Sequence, residues 1–145
     1  MPLNTILLVE DEDDLRTEIS SMLSFEGYNI IEASDGSEGV KSALKNQPDL
    51  IVCDIGLPIK DGFDVLEELS HHPSTKFIPF IFLTAKSERD SRRRGMSLGA
   101  DDYITKPFTR VELLDSIAIR KKKLDELKLS LESNVDNPSL ALNTP

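Results

Sequence analysis

The chain is poor in cysteine: Cys53 is the single one in 145 residues, so no disulfide can form within it. Cys53 closes the apolar run Leu50-Ile51-Val52-Cys53, where a small buried hydrophobe is expected. No apolar run approaches the roughly 18 residues needed to span a bilayer. The opening residues, Met1-Pro2-Leu3-Asn4, contain no basic stretch, so no secretory leader is expected from them. These readings suit a cytoplasmic protein. Positive charge is also scarce, with 17 Lys and Arg against 26 Asp and Glu and a net charge of −9. Such a chain is expected to bind neither nucleic acid nor an anionic membrane directly. Internal repeats and low-complexity tracts are absent.

What is present has the size of one domain. A chain this long buries about two-thirds of its unfolded surface, enough for a core. Short apolar runs alternate with segments of helical period. Thr5–Val9, Tyr28–Ile31, Leu50–Cys53, Phe80–Leu83 and Tyr103–Ile104 read as five strands, too apolar for a solvated sheet. Between them, Leu15, Ile19, Met22 and Leu23 mark one face of a first helix. Asp13 or Asp14 is expected to cap its start and Gly27 its end. Gly39–Asn46 reads as the second helix, and Val65, Leu66 and Leu69 mark the third. An Arg-rich fourth spans Glu88–Leu98, and a fifth from Arg110 carries Leu113, Leu114 and Ile117.

Five strands alternating with five helices imply a three-layer, doubly wound (βα)5 parallel sheet of the α/β class. That domain is expected to occupy residues 1–120. Residues 121–145 read as a helical extension, with Leu124, Leu127 and Leu131 at heptad-like spacing, followed by a disordered tail or truncated linker from Asn134.

In such folds ligands bind at the carboxyl ends of the strands. Glu10 and Asp11 follow the first strand, Asp54 the third, Thr84 the fourth and Lys106 the fifth. Three carboxylates at one point are costly: like charges 4 Å apart repel by about 4 kcal/mol at an effective dielectric near 20. Either a proton is held or a divalent cation is recruited. An all-oxygen donor set suits Mg2+. Lys106 adds a positive charge and Thr84 a hydroxyl. These are the requirements for phosphoryl transfer to a carboxylate.

Four segments carry a resemblance. Val9-Glu10-Asp11-Glu12, Asp54-Ile55-Gly56-Leu57-Pro58 through Gly62, Leu83-Thr84-Ala85, and Gly99 through Phe108 together resemble the response regulator receiver family, over about residues 4–119. The resemblance implies a flavodoxin-like receiver fold. It further implies that Asp54 accepts a phosphoryl group from a phosphohistidine on a sensor histidine kinase or a histidine phosphotransfer protein. It implies Mg2+ on Asp11, Asp54 and the main-chain carbonyl of Gly56, with Glu10 acting through water. Thr84 would bond the phosphoryl group, Tyr103 would swing inward as Thr84 moves, and Lys106 would pair with a phosphoryl oxygen. The Lys106-Pro107 bond would be cis. A downstream output domain or partner protein would read the change on the surface of the fourth helix, fifth strand and fifth helix. The domain would not be an enzyme, though it assists its own phosphorylation and dephosphorylation. Gly56 and Lys86 stand at variable positions and are expected to set the lifetime of the phosphoryl group. Arg92, Asp101, Asp102 and Glu112 match the charge pattern of the branch that forms phosphorylation-dependent homodimers, whereas Ser97 and Ser116 replace charged residues of it.

Two rival readings remain. Asp11-Glu12-Asp13 has the form of a Mg2+-dependent aspartyl-phosphate phosphatase with Asp11 as nucleophile. A flavin module of similar fold would need a Ser/Thr/Gly-rich loop where Glu10–Asp14 stands. His71 and His72 read as residues at a helix end, not ligands.

Overall fold

The computed structural model describes residues 4–136, with side chains through residue 131. Five parallel strands form one sheet: β1 (Thr5–Val9), β2 (Asn29–Ala33), β3 (Leu50–Cys53), β4 (Phe80–Thr84) and β5 (Asp102–Thr105), in the order β2-β1-β3-β4-β5. The connecting helices are α1 (Asp13–Phe25), α2 (Gly36–Asn46), α3 (Gly62–Ser70), α4 (Arg89–Ser97) and α5 (Arg110–Asp136). The expected three-layer parallel sheet is the one observed.

Strand alternation sorts the core into two layers. Leu7, Val9, Ile51, Cys53, Phe80 and Phe82 point to the side covered by Val40 and Ala43 of α2 and Phe63, Val65, Leu66 and Leu69 of α3. Ile6, Leu8, Leu50, Val52, Ile81, Leu83 and Ile104 point to the other, covered by Ile19 and Leu23 of α1 and Leu113 and Ile117 of α5. The central strands β1, β3 and β4 are thus buried on both faces, the reason they read as unbroken apolar runs.

Some boundaries differ from expectation. The N-cap of α1 is Glu12, whose side chain makes no cap bond, while Asp13 and Asp14 sit in the first turn. There they complement the helix dipole instead of capping. The carboxylate nearest the helix start is Glu10, which accepts the N–H of Glu12 at 3.2 Å. Gly27 follows the helix end with φ 97°, the left-handed conformation expected of it. β2 runs on to Ala33 because its pairing with β1 continues to Val9. α2 starts at Gly36, not Gly39, because Asp35 caps it by accepting the N–H of Glu38 at 2.7 Å. His71 is the C-cap of α3. α5 crosses the expected boundary near residue 120 without interruption. Leu124 still packs on the core, whereas Leu127 and Leu131 are exposed. Residues 137–145 of the expected tail lie outside the described residues. Among those described, no helix is long and apolar enough to cross a membrane.

The loop from β3 to α3 turns sharply beneath the end of β3. A Cβ added to Gly62 would lie 2.3 Å from the carbonyl oxygen of Asp54, whereas one added to Gly56 would meet nothing within 4 Å. Gly62→Ala is therefore expected to cost about 1–3 kcal/mol through overpacking, and Gly56→Ala to be nearly neutral. Urea denaturation of the two variants beside the parent measures the difference; equal midpoints would show that the loop yields freely.

Candidate functional site

β1 and β3 lie side by side at the centre of the sheet, with Val9 opposite Cys53. The residues that follow each strand therefore emerge together, and the chain order reverses at this point, where crevices open in doubly wound sheets. Glu10 and Asp11 leave β1 and Asp54 leaves β3. One carboxylate oxygen from each of Glu10, Asp11 and Asp54 falls within 4.8 Å of the others. β4 ends at Thr84, paired with Thr105 at the end of β5, so Lys106 arrives one residue later at the same edge.

Lys106 binds the cluster together. Its Nζ lies 2.7 Å from Glu10 Oε1 and 3.2 Å from Asp54 Oδ2. Glu10 is only 2 % exposed. Burial pushes its carboxyl above its ordinary value of 4.5, the Lys106 hydrogen bond opposes this, and the charge of Asp54 adds to it. Burial pulls the Lys106 ammonium the other way, but the hydrogen bond to Glu10 and the charges of Asp54 and Glu10 outweigh it, leaving a net rise. Mutual attraction within the pair thus opposes the desolvation of both groups, fully offsetting it for Lys106 and only partly for Glu10.

Neighbouring groups fix the carboxylates. Asp54 Oδ1 accepts the N–H of Ile55 at 2.7 Å, leaving Oδ2 toward Lys106. Arg16, one turn into α1, donates to the carbonyl of Glu10 at 2.8 Å and pairs with Asp13 at 2.7 Å. Asp11 is exposed at the rim. Cys53 is fully buried, its thiol donating to the Asp54 carbonyl at 3.1 Å. Burial pushes that thiol well above its ordinary range, with the Asp54 and Glu10 charges adding to the effect. It is an inert packing group, as its apolar run suggests.

Thr84 is 1 % exposed, and its Oγ1 accepts the N–H of Lys86 at 3.2 Å. Tyr103 is buried against Phe82, with ring centroids 5.9 Å apart, and its hydroxyl donates to the Lys86 carbonyl at 2.6 Å. The ring expected to swing inward is thus already inward in this conformation. The Lys106-Pro107 bond is cis.

The structure thus brings Glu10, Asp11, Asp54 and Lys106 to one point. Thr84 stands on the neighbouring strand end, with Tyr103 behind it. Three parts were not legible. Glu10 pairs directly with Lys106, and a carboxylate flush against the apolar run Ile6–Val9 was the available signal. Arg16 holds the Glu10 main chain. Lys86 links Thr84 to Tyr103 through main-chain atoms, which no side-chain pattern reports. Oxygen donors from three carboxylates within a single span fit a hard, oxygen-seeking cation such as Mg2+. Glu10, Asp11 and Asp54 would hold it.

Comparison with known proteins gives a consistent picture. The family model for the response regulator receiver domain matches residues 6–118. The chain is 41 % identical over 111 residues to the probable transcriptional regulatory protein TcrX of Mycobacterium tuberculosis, covering 76 % of this chain and 46 % of that one. Among solved structures, it resembles a response regulator receiver domain protein from Clostridium thermocellum with TM-score 0.79 at 28 % identity, covering 86 % of this chain and 99 % of the other. It also resembles the receiver domain of sensor histidine kinase PA1611 from Pseudomonas aeruginosa PAO1, with TM-score 0.72 at 36 % identity, covering 77 % and 92 % of the two chains. That structure has a magnesium ion coordinated in the active site cleft. The chain spans about half the length of the first curated relatives it matches. Those relatives are named as transcriptional regulators, so they lend no support to an expectation, drawn from net charge, that nucleic acid plays no part.

Removing Lys106 strands a buried carboxylate. Lys106→Ala is expected to destabilise the metal-free protein by about 3–5 kcal/mol, the usual cost of breaking a buried pair from one side. Saturating Mg2+ should shrink that loss by replacing the missing charge. The raised Glu10 means that the folded state binds a proton more readily than the unfolded one, so this group's penalty is relieved as pH falls through its raised value toward 4.5. Lys106→Ala should therefore regain stability on mild acidification, and the double variant with Glu10→Gln should not. Urea midpoints at two pH values, with and without Mg2+, check all three statements; a loss unchanged by either condition would place the cost of Lys106→Ala elsewhere.

Proposed function

The chain belongs to the response regulator receiver family, and on that premise we propose that it is a phosphorylation-dependent switch of a two-component or phosphorelay system, with Asp54 as phosphoacceptor. The observation that carries the reading is the Glu10–Lys106–Asp54 contact beside Asp11, with Lys106 2.7 Å from one carboxylate and 3.2 Å from the other. It leaves Asp54 the one carboxylate of the three that is both reachable and pre-paired with a cation: Glu10 is buried, and Asp11 has no lysine contact among the described residues.

The chemistry asked of the chain is modest. An Asp54 carboxylate oxygen attacks the phosphorus of a phosphohistidine on a sensor histidine kinase or histidine phosphotransfer protein. The P–O bond forms, the P–N bond breaks and the imidazole leaves. Lys106 meets the incoming negative oxygens, and the Thr84 hydroxyl donates to one of them. Asp11, Asp54 and the Gly56 carbonyl, with Glu10 through water, would hold Mg2+, which would neutralise the carboxylates and the phosphoryl oxygens. The new group adds about −1.5 to −2 charges. Repacking of Thr84, Tyr103 and the α4–β5–α5 face then carries the signal to an output domain or partner protein. Reversal is hydrolysis, with a water oxygen bonding phosphorus as the Asp54 oxygen leaves. Gly56, two residues after Asp54, and Lys86, two after Thr84, are both exposed, and on this reading they set its rate.

Acetyl phosphate with Mg2+ should add one phosphoryl mass to the intact protein, and Asp54→Asn should abolish the adduct. Beryllofluoride should bind the parent but not that variant. Steady turnover of p-nitrophenyl phosphate that survives Asp54→Asn and dies in Asp11→Asn would instead make the chain a phosphatase. For the lifetime, Gly56→Met and Lys86→Ala should each change the decay of the adduct by mass spectrometry; an unchanged decay in both removes these positions from the reaction.

A further inference from the structure

α4 carries Arg89, Arg92, Arg93 and Arg94 in nine residues of a chain whose net charge is −9. Such a run is normally a solvated face. Here two of the four reach rings of the domain: Arg94 stands over Phe63 at 4.3 Å and Arg92 over Tyr103 at 4.9 Å. Arg92 also donates to the main-chain carbonyl of Tyr103 at 3.1 Å and to Thr105 Oγ1 at 3.3 Å. One guanidinium thus holds the ring, the main chain beneath it and the strand two residues on, a use of the planar fork that lysine cannot reproduce.

On the far side of the ring, the Tyr103 hydroxyl donates to the carbonyl of Lys86 at 2.6 Å. The N–H of that same Lys86 donates to Thr84 Oγ1 at 3.2 Å. An unbroken series of contacts therefore joins Thr84, the Lys86 main chain, Tyr103 and Arg92. Space for the inward ring exists because Gly95 stands behind it: a Cβ there would lie 3.2 Å from Tyr103 Cδ2 and 3.0 Å from Phe82 Cε2.

We propose that Arg92 is a positioning residue that holds Tyr103 inward before phosphorylation, so that α4 is already coupled to the Thr84 hydroxyl. Arg92 is thereby engaged within its own domain, and a second copy of the chain would have to draw it away from Tyr103 to use it as a salt-bridge donor. Coupling between two sites is reciprocal. If inward Tyr103 favours the arrangement of Thr84 that receives a phosphoryl group, loss of Arg92 weakens binding at Asp54, and occupation of Asp54 restores Tyr103. That reciprocal half rests on the reading of Asp54 as phosphoacceptor; the latch itself does not.

The chain has no tryptophan and two tyrosines, so Tyr28→Phe leaves Tyr103 as the sole emitter. Acrylamide quenching of its fluorescence reads its burial directly. With Arg92 intact and no ligand, quenching should be weak. Arg92→Gln should raise it severalfold, Arg92→Lys should fall between, and Arg93→Gln should match the parent. Mg2+ with beryllofluoride should return Arg92→Gln toward the parent value, and titration should show severalfold weaker beryllofluoride binding in that variant. Far-ultraviolet circular dichroism confirms folding; Thr105→Val, which removes only one of the three contacts, gives a milder version of the same shift should Arg92→Gln fail to fold. Quenching in Arg92→Gln no greater than in Arg93→Gln would overturn the proposal. Freed Tyr103 in Arg92→Gln together with no phosphoryl adduct on the parent would keep the latch and overturn the role of Asp54.

Discussion

Everything else at this site depends on three carboxylates being forced to one sheet edge and on the one ammonium that tolerates them. The parallel register brings Val9 beside Cys53, so Glu10 and Asp54 emerge together whether or not their charges agree. The apolar strands decide this, because each is buried on both faces and a one-residue slip would turn every side chain to the wrong layer. The folding core therefore imposes the electrostatic conflict, and Lys106 answers it from the end of β5, 96 residues from Glu10 in sequence. What is left over is a local excess of negative charge, facing solvent at Asp11. A group arriving there is favoured to the extent that it brings positive charge or lets Lys106 do more. Both descriptions fit a divalent cation followed by a phosphoryl group.

How much of this was legible follows from where the physics is local. β1, β3 and β4 were legible because central parallel strands are mostly apolar, β4 running one residue further to Thr84. β2 lies at the edge, with Asn29 and Glu32 exposed, and its boundary blurred accordingly. α2 was started late because its apolar positions begin only at Val40, whereas the Asp35 cap sets the start at Gly36. The site was legible in outline because strand order alone predicts which chain positions share an edge. Its internal wiring was not. That Glu10 is buried and touches Lys106 depends on side-chain directions across 96 positions, and that Tyr103 already lies inward depends on the absent side chain of Gly95. Arg92 looked like its three arginine neighbours, and only the packing separates it from them.

The same packing sets α4 apart from α3. α3 buries Phe63, Val65, Leu66 and Leu69 against the sheet, and its place is set by hydrophobic contact. Among its nine residues α4 buries only Gly95. What secures it is a pair of guanidinium–ring contacts and two hydrogen bonds to β5, each directional and each exchangeable with water at modest cost. Segments held in this way lie at the low-stability end of a fold. Arg94 ties one side of α4 to Phe63 of α3, whereas Arg92 ties the other to Tyr103 and, through the Lys86 main chain, to Thr84. On the proposed reading a shift at Thr84 would therefore act on α4 through Arg92 alone, where a helix anchored only by apolar side chains would have no such connection.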